Sequence, residues 1–384
     1  MSLDAVAHGA RIRMPRPLMH LLTIALLSVT PMTNADPLLV YFGTRNADAM
    51  GIALSRFDPS TGVLSPPVSG AETRDPGFMT FDPHGNRLYV CNSGTPGGLS
   101  AFAVDRRSGA LDPINLVGAE GRGPSHVSVD RSGRHVLNAN YGGGYVEIHA
   151  LGKDGRLGDR TAFVQLSGNS VHPERQTRAY AHWFGVDPTN RFALVADLGS
   201  DRIMVYRFNG DTGALTPNDP PFAQVRPGSG PRHLAWHPNG RWMYAVQELS
   251  NEVTAFAWDD TRGVLTELQT TSTLPADFQD ANTAAEIGVH SNGRFLYVSN
   301  RGHDSIAVFV IDSESGKLTL VQHASSRGKT PRYFAFDPSC RWLIVNNQDS
   351  ENAVVFRVDG GSGELTPHGE PVRLAKPTAV AFLP

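Results

Sequence analysis

The chain repeats one pattern of apolar and polar residues along most of its length. In each copy an apolar run begins with arginine and ends with Asn, Asp or Gln. The runs are short and rich in β-branched and aromatic side chains, which is typical of buried strands and not of helices. The six runs are RLYVCN (87–92), RHVLNAN (134–140), RFALVAD (191–197), RWMYAVQ (241–247), RFLYVSN (294–300) and RWLIVNN (341–347).

A turn sequence precedes each of these runs. Asp or His stands first, followed by residues such as Pro, Asn, Ser and Gly, which favour tight turns. Another apolar run comes before the turn, so each copy predicts a β-hairpin. A third strand follows the hairpin, as in AVFVID (307–312) and VVFRVD (354–359). The turns begin at Asp82, Asp130, Asp187, His237, His290 and Asp337.

A Gly-x-Leu signal follows the third strand of each repeat. Seven copies occur, spaced 46 to 58 residues apart. Four short strands in a repeat of roughly 50 residues indicate a β-propeller. We therefore predict an all-β chain that folds as one seven-bladed β-propeller over residues 36–384, with four antiparallel strands per blade. The glycines of the signal are Gly62, Gly109, Gly155, Gly213, Gly263, Gly316 and Gly363.

The two ends of the chain are predicted to share one blade. KPTAVAFLP (376–384) supplies only a first strand, whereas LLVYFGT (38–44) and GIALSRFD (51–58) supply a second and a third. Pairing these strands closes the ring and leaves no sheet edge free. Because a closed ring has no edge to pair with another copy, a monomer is expected.

Composition narrows the classes of function. The chain has 384 residues, of which 40% are hydrophobic and 18% charged, with a net charge of −3 and no run of Lys or Arg. A nucleic-acid partner is therefore not expected. The two cysteines, Cys91 and Cys340, form no CxxC pair, so no metal or other cofactor is predicted.

The N-terminal segment differs from the repeats. Three arginines in RIRMPRP (11–17) precede the apolar run LMHLLTIALLSVT (18–30), and the small-residue stretch TNA (33–35) follows. This order predicts a secretory signal peptide over residues 1–35, cleaved near Ala35, and a periplasmic or secreted protein. The apolar run is too short for stable membrane insertion after cleavage. A mis-assigned start or a tail is the alternative, and the protein would then be cytoplasmic.

One rim of the propeller is predicted to carry polar side chains. The first strand of a blade lies nearest the axis and the second runs antiparallel to it. The starts of first strands and the ends of second strands therefore lie on the same face, around a central funnel. The first-strand starts are Ser125, His126, His182, Arg232, His233, Glu286 and Arg332, and the second-strand ends are Asn92, Asn140, Tyr141, Asp197, Gln247, Glu248, Asn300, Arg301, Asn347 and Gln348. Convergent polar groups in a concave site predict a ligand site.

At these residues the chain resembles the seven-bladed β-propeller lactonases. That family includes propeller-type 6-phosphogluconolactonases and the fungal carboxy-cis,cis-muconate cyclase. The resemblance covers essentially all of residues 36–384. The stretches that carry it most specifically are HPERQTRAYAH (172–182), DLGSDRIMVY (197–206), GPRH (230–233), QELSNEV (247–253) and SNRGHDSIAVF (299–309).

The resemblance implies a His, two Arg and a Glu as catalytic residues. By motif these are His182, Arg232, Glu248 and Arg301, and the reading of strand ends reaches the same four positions. Arg175, in the long segment before the fourth repeat, is predicted to bind substrate. The other predicted substrate-binding residues are Asn140, Tyr141, Asp197, His233, Gln247 and Asn300.

The expected chemistry is hydrolysis of a small anionic or sugar-type lactone, of the 6-phosphogluconolactonase type, which implies a place in carbohydrate and glucose metabolism. Arg232 and Arg301 would bind the substrate anion or the developing oxyanion. His182 or Glu248 would activate water, and the residues alone do not decide between them. A calcium-dependent lactonase is disfavoured because carboxylates are sparse on the rim. A lactonising cyclase of the muconate type and a non-catalytic binding propeller are the alternatives, and predicted export leaves the phosphorylation of the substrate open.

Overall fold

The computed structural model describes residues 1–2, 36–45, 51–120 and 123–384. The predicted signal peptide, residues 1–35, lies outside the described residues apart from the first two. In the described part of the chain, 29 strands form seven antiparallel sheets, and no helix there is long and apolar enough to cross a membrane. The predicted all-β, seven-bladed β-propeller is confirmed.

Blade 1 is built from both ends of the chain, as predicted. Its innermost strand is β29 (Pro377–Phe382), which pairs with β1 (Leu38–Thr44), and β1 pairs with β2 (Ile52–Asp58). The outer strand is broken, so β3 (Val63–Leu64) and β4 (Val68–Ala71) pair with β2 one after the other.

The other six blades each contain four consecutive antiparallel strands, which follow one another from the axis outward. Blade 2 contains β5 (Pro76–Phe81), β6 (Arg87–Asn92), β7 (Gly98–Val104) and β8 (Leu111–Gly118), and blade 3 contains β9 (His126–Val129), β10 (His135–Asn140), β11 (Tyr145–Leu151) and β12 (Leu157–Gln165). Blade 4 contains β13 (Ala181–Val186), β14 (Phe192–Asp197), β15 (Arg202–Phe208) and β16 (Leu215–Gln224), and blade 5 contains β17 (Pro231–Trp236), β18 (Trp242–Gln247), β19 (Glu252–Asp259) and β20 (Val264–Ser272). Blade 6 contains β21 (Thr283–Val289), β22 (Phe295–Arg301), β23 (Ser305–Ile311) and β24 (Leu318–Ser325), and blade 7 contains β25 (Pro331–Phe336), β26 (Trp342–Asn347), β27 (Asn352–Val358) and β28 (Leu365–Arg373).

The turn between the first and second strands is fixed by its leading residue. Asp130 Oδ1 accepts the backbone N–H groups of Arg134 and His135, each at 2.8 Å. His237 replaces the carboxylate in blade 5, where its Nδ1 accepts the backbone N–H of Asn239 at 3.1 Å. These bonds satisfy backbone donors that the turn would otherwise leave unpaired.

The Gly-x-Leu turns accept hydrogen bonds from neighbouring blades. All seven glycines have φ between 70° and 86°, a left-handed conformation that glycine adopts without the steric cost of a Cβ. Buried tyrosines on second strands donate to their carbonyls in the next blade: Tyr89 to Gly155 at 3.1 Å and Tyr297 to Gly363 at 2.7 Å. The apolar run of one repeat and the Gly-x-Leu turn of the next are therefore in contact at the junction between their blades.

Candidate active site

A cavity of about 550 Å³ lies at the face where the first strands begin. Every blade, or the loop beside it, contributes to its wall, so the site is a product of the whole ring. The lining residues include six of the predicted site residues: Tyr141, Arg175, His182, Arg232, Glu248 and Arg301.

β-Bulges in the innermost strands lie where the site residues stand. The register with the second strand shifts between Ala181 and Trp183, and again between Pro231 and His233. The residue inside the shift is His182 in the first case and Arg232 in the second. A bulge leaves one residue out of the ladder and changes the direction of its side chain. Pro231 suits this place because proline has no N–H to donate to the ladder.

Glu248 holds three arginines together. Its Oε1 accepts Arg175 Nη2 at 2.5 Å, and its Oε2 accepts Arg232 Nη1 at 2.8 Å. Arg301 Nη2 lies 3.2 Å from the same Oε2. Glu248 is 3% exposed, so these charge-assisted contacts form largely out of water, where such contacts are strong. One carboxylate therefore fixes guanidinium groups that come from three parts of the ring.

Backbone carbonyls of blade 6 hold the arginines from the other side. Arg232 Nε donates to Ala285 O at 3.0 Å, and Arg301 Nη2 donates to Ala284 O at 3.0 Å. Burial alone would raise the pKa of Glu248, but Arg301 and Arg232 outweigh it and hold that pKa well below its usual value. Glu248 is therefore an anion throughout the physiological pH range.

His182 faces the same cluster as a neutral imidazole. Its Nε2 contacts Arg232 Nη1 and lies 3.9 Å from Glu248 Oε2. Burial, followed by the charge of Arg232, lowers the pKa of His182 well below its usual value. Because Arg232 donates, the unprotonated nitrogen of His182 is Nε2, the one that faces the cavity.

Positive charge dominates the cavity wall. Among the described residues, six arginines line it and Glu248 is the single carboxylate. Arg45 and Arg332 make no ion pair within the described chain, and burial followed by Arg232 lowers the pKa of Arg332. No group of three His, Cys, Asp or Glu that could hold a metal ion occurs among the described residues. The wall therefore suits an anion held by guanidinium forks.

Five predicted substrate-binding residues do not line the cavity. Asn140 Nδ2 donates to Tyr145 Oη at 2.8 Å, and Asn300 Nδ2 donates to Thr273 O at 2.8 Å. Both side chains point into their blades and fix the following turns. The same placement, buried and away from the wall, holds for Asp197, Gln247 and His233.

The pleat explains this division. Successive side chains of a strand point to opposite sides, and two neighbours were predicted on the rim at four of the second-strand ends. In three of these pairs the second residue reaches the cavity and the first does not: Asn140 and Tyr141, Gln247 and Glu248, and Asn300 and Arg301. In the fourth pair neither Asn347 nor Gln348 lines the cavity.

Three charged or aromatic cavity residues were missed from the sequence. Arg45 follows the end of β1, so the rule for second-strand ends would have found it had it been applied to blade 1. Arg178 and Tyr180 lie in the segment before β13, which has no counterpart in the other repeats. Arg178 Nη2 donates to Gly142 O at 2.6 Å, and Tyr180 stacks on Tyr141 with ring centroids 4.7 Å apart. Arg332, named on the rim but given no role, also lines the cavity.

Comparison with known proteins identifies the family of the chain. The model of the seven-bladed β-propeller lactonase family matches residues 39–382. A 6-phosphogluconolactonase of Bacillus subtilis (strain 168) is 36% identical over 301 residues, which is 78% of this chain and 85% of the relative. The structure of a periplasmic gluconolactonase of Pseudomonas aeruginosa has a TM-score of 0.86 and 32% identity, and covers 91% of this chain and 99% of that one. The chain belongs to the seven-bladed β-propeller lactonase family.

Proposed function

We propose that this protein hydrolyses a sugar-type lactone in the axial cavity. The observation that carries the proposal is the cluster of His182, Arg232, Glu248 and Arg301 in a wall rich in arginine. A lactone is an intramolecular ester, and its hydrolysis needs oxyanion stabilisation and a base for water. Relatives of similar length carry the names 6-phosphogluconolactonase and gluconolactonase.

His182 is the better base of the two candidates. Glu248 holds three guanidinium groups at once, so taking up a proton would weaken three ion pairs. Neutral His182 has one lone pair on Nε2, which accepts Arg232; when Arg232 donates to the carbonyl oxygen of the substrate instead, that lone pair becomes available to water. General base assistance of this kind contributes about 10² to 10⁴-fold in rate.

The arginines divide the work of binding. Arg232 and Arg301 lie beside His182 and hold the carbonyl oxygen as it becomes an oxyanion. Arg45 and Arg332 have no carboxylate partner in the described chain and hold a phosphate or carboxylate on the substrate. The substrate is therefore an anionic lactone, with the phosphorylated sugar lactone as its leading candidate.

A pH-stat assay of the purified chain that begins at Asp36 tests this function. It compares 6-phosphogluconolactone with gluconolactone, each corrected for spontaneous hydrolysis. We expect Arg232→Ala to lower kcat/KM about 10² to 10³-fold on both lactones. We expect Arg332→Gln to raise KM by roughly 10 to 100-fold on the phosphorylated lactone only.

The control variant is Arg226→Gln. Arg226 is exposed and pairs with Glu252 at 2.6 Å, away from the cavity, so turnover should be unchanged. Turnover of neither lactone by the wild-type chain would refute the proposed activity. Equal loss on both lactones in Arg332→Gln would leave the activity standing and refute the phosphate role.

The proposal extends to location and assembly. Residues 1–35 act as a signal peptide, residues 36–384 form the single lactonase domain, and the mature protein is an exported monomer without a membrane anchor. Support comes from the order of basic, apolar and small residues and from the periplasmic relative of Pseudomonas aeruginosa. Mass spectrometry of the N-terminus in cell fractions tests export, and light scattering tests the monomer. An intact N-terminus on cytoplasmic protein would refute export.

A further inference from the structure

A buried acid–imidazole pair lies next to His182, off the cavity wall. His233 Nδ1 and Glu286 Oε2 are 2.8 Å apart, and the side chains are 4% and 10% exposed. The rings of His233 and His182 are neighbours, with centroids 5.1 Å apart and planes inclined at 67°. Neither His233 nor Glu286 belongs to the cavity wall, so neither is positioned to touch a ligand there.

The two imidazoles each bury one ring nitrogen that has no hydrogen-bond partner among the described residues. These atoms are His182 Nδ1 and His233 Nε2. A buried polar atom without a partner destabilises the folded state. No direct hydrogen bond joins these two atoms, but one bridging water would satisfy both, provided that one nitrogen is a donor and the other an acceptor.

The outer contacts determine which nitrogen is the donor. Arg232 donates to His182 Nε2, so the ring proton of neutral His182 sits on Nδ1. If Glu286 is ionised, His233 donates its Nδ1–H to the carboxylate, and its Nε2 is then an acceptor. His182 Nδ1–H and His233 Nε2 are then complementary. If Glu286 is protonated, both unpartnered nitrogens carry protons, and a bridging water that accepts from both has no buried acceptor for its own O–H groups.

We propose that His233 and Glu286 are positioning residues that hold His182 in the tautomer with an unprotonated Nε2. The inference rests on the proposed function, in which His182 is the base. The logic is that of a base oriented by a third group. The inferred hydrogen bonds run in one direction, from His182 through the bridging water to His233 and on to Glu286.

The reaction leaves the protons of this pair in place. One O–H bond of water breaks and its proton goes to His182 Nε2, while the water oxygen bonds to the carbonyl carbon and the carbonyl π electrons move to oxygen. The oxyanion electrons then re-form the C=O bond as the ring C–O bond breaks, its electron pair leaves with the ring oxygen, and the proton on His182 Nε2 passes to that oxygen. Throughout, His182 Nδ1–H points to His233, which stabilises the imidazolium while it exists.

Charged and titratable neighbours surround the pair on several sides. Arg232, His182, His126 and Arg332 face His233. Burial raises the pKa of Glu286 well above its usual value, and Arg232 opposes that rise only in part; Tyr333 lies near the same carboxyl. Because protonation of Glu286 reverses the hydrogen bonds, kcat should fall on acidification at a pH above the usual carboxyl range.

Two variants and one control test the pair. His233→Asn keeps a donor for Glu286 and removes Nε2, so we expect kcat to fall about 100-fold with KM within about twofold. Glu286→Gln keeps an acceptor for His233 but does not titrate, so the acid limb of kcat should disappear. His149→Asn is the control, because His149 lies 3.7 Å from Glu147 in another buried acid–imidazole pair and neither residue lines the cavity; its pH profile should match the wild type.

Nitrogen NMR of the histidine rings provides a readout that does not depend on turnover or on the folding of a variant. In the wild-type chain we expect the His182 proton on Nδ1, in a hydrogen bond. A proton on Nε2 would overturn the inference. If the wild type hydrolyses a lactone and folded His233→Asn keeps its kcat and pH profile, the inference fails while the proposed function stands. If no lactone is hydrolysed, the proposed function fails, and the NMR result still decides the tautomer.

Discussion

The two faces of the propeller use equivalent positions in opposite ways. On the face of the turns between first and second strands, blades 2, 3, 4 and 7 place an aspartate at the same position, and blades 5 and 6 place a histidine there. On the cavity face, the bulged residues of the first strands differ in almost every blade. They are Gly77, His182, Arg232, Arg332 and Thr378, with Ala285 and Glu286 together in blade 6.

The difference separates residues that make the ring from residues that make the site. The turn residues perform one task in each blade, which is to satisfy backbone N–H groups, so similar side chains recur. A site needs unlike groups that converge on one ligand, so the cavity positions diverge within the same frame. Four changes test this division, from the largest expected effect to the smallest.

Glu248→Gln should have the largest effect, because it acts on both sides of the division. It removes the charge that holds Arg175, Arg232 and Arg301 together, so we expect the free energy of unfolding to fall by about 3 kcal/mol and lactone turnover to fall with it. Urea unfolding and a pH-stat assay measure the two effects.

The effect of added phosphate on stability provides a second test of the role of Glu248. It should stabilise Glu248→Gln more than the wild type, because the arginines then lack their carboxylate. The matched control is Glu252→Gln, which breaks the exposed pair with Arg226 and should change stability by less than about 1 kcal/mol. Equal responses of the two variants to phosphate would contradict the role of Glu248 as the holder of the arginines.

Gly316→Ala should destabilise the ring without changing the cavity. Gly316 has φ of 71°, and an added Cβ would lie 2.6 Å from the Trp242 ring, so strain and overpacking together should cost about 3 kcal/mol. Gly240→Ala has nearly the same φ, at 70°, but an added Cβ meets nothing within 4 Å. Its cost should be limited to about 1 to 2 kcal/mol. Thermal unfolding ranks the pair, and equal losses would show that packing at Gly316 is not the cause.

Asp130→Asn should lower stability in a manner that depends on pH. Burial raises the pKa of Asp130, but its hydrogen bonds from Ser132 and Asn190 outweigh this and lower it below 3.8. A lowered pKa in the folded state contributes stability above the ordinary carboxyl pKa and loses it as pH falls through the folded value. The deficit of the variant in urea unfolding should therefore shrink between about pH 7 and about pH 3. Turnover at neutral pH should be preserved, and a lost activity would contradict the division of faces.

Tyr297→Phe should have the smallest effect. It deletes the 2.7 Å hydrogen bond from Tyr297 Oη to Gly363 O between blades 6 and 7, so the free energy of unfolding should fall by about 1 kcal/mol. Kinetic constants should stay within error of the wild type. A loss of turnover would mean that blade junctions position the site directly.

The fold was readable from the sequence because its signals repeat. The turn aspartates, the Gly-x-Leu turns and the apolar runs between them each serve the same backbone geometry in several blades. The sharing of blade 1 followed from counting strands at the two ends. The break between β3 and β4 was not predicted, because no repeated signal marks the outer strands.

The sequence predicted which residues lie at the rim of the cavity, but not which of their side chains point into it. The sequence predicted that Glu248 and Gln247 lie at the same edge of blade 5. Which of the two side chains points into the cavity depends on the pleat and on the pairing register of the strands, and the sequence does not specify that register. Arg45 was missed because β29 and β1 are joined through the whole ring and not by a turn, so the turn motif that marks the other second strands is absent from blade 1. Arg178 was missed because its segment, before β13, has no counterpart in the other repeats with which it could be aligned.

Because blade 1 contains both ends of the chain, the site can be completed only after the whole chain has been synthesised. β29 pairs with β1 across almost the whole chain, and Arg45 follows directly after that seam. A growing chain can stack blades 2 to 7 as they emerge, but the wall of the cavity stays open until its last strand has been made. The proposed catalyst therefore has no working fragment during translation, and a truncation of only the final strand would remove the site while leaving every catalytic side chain in the sequence.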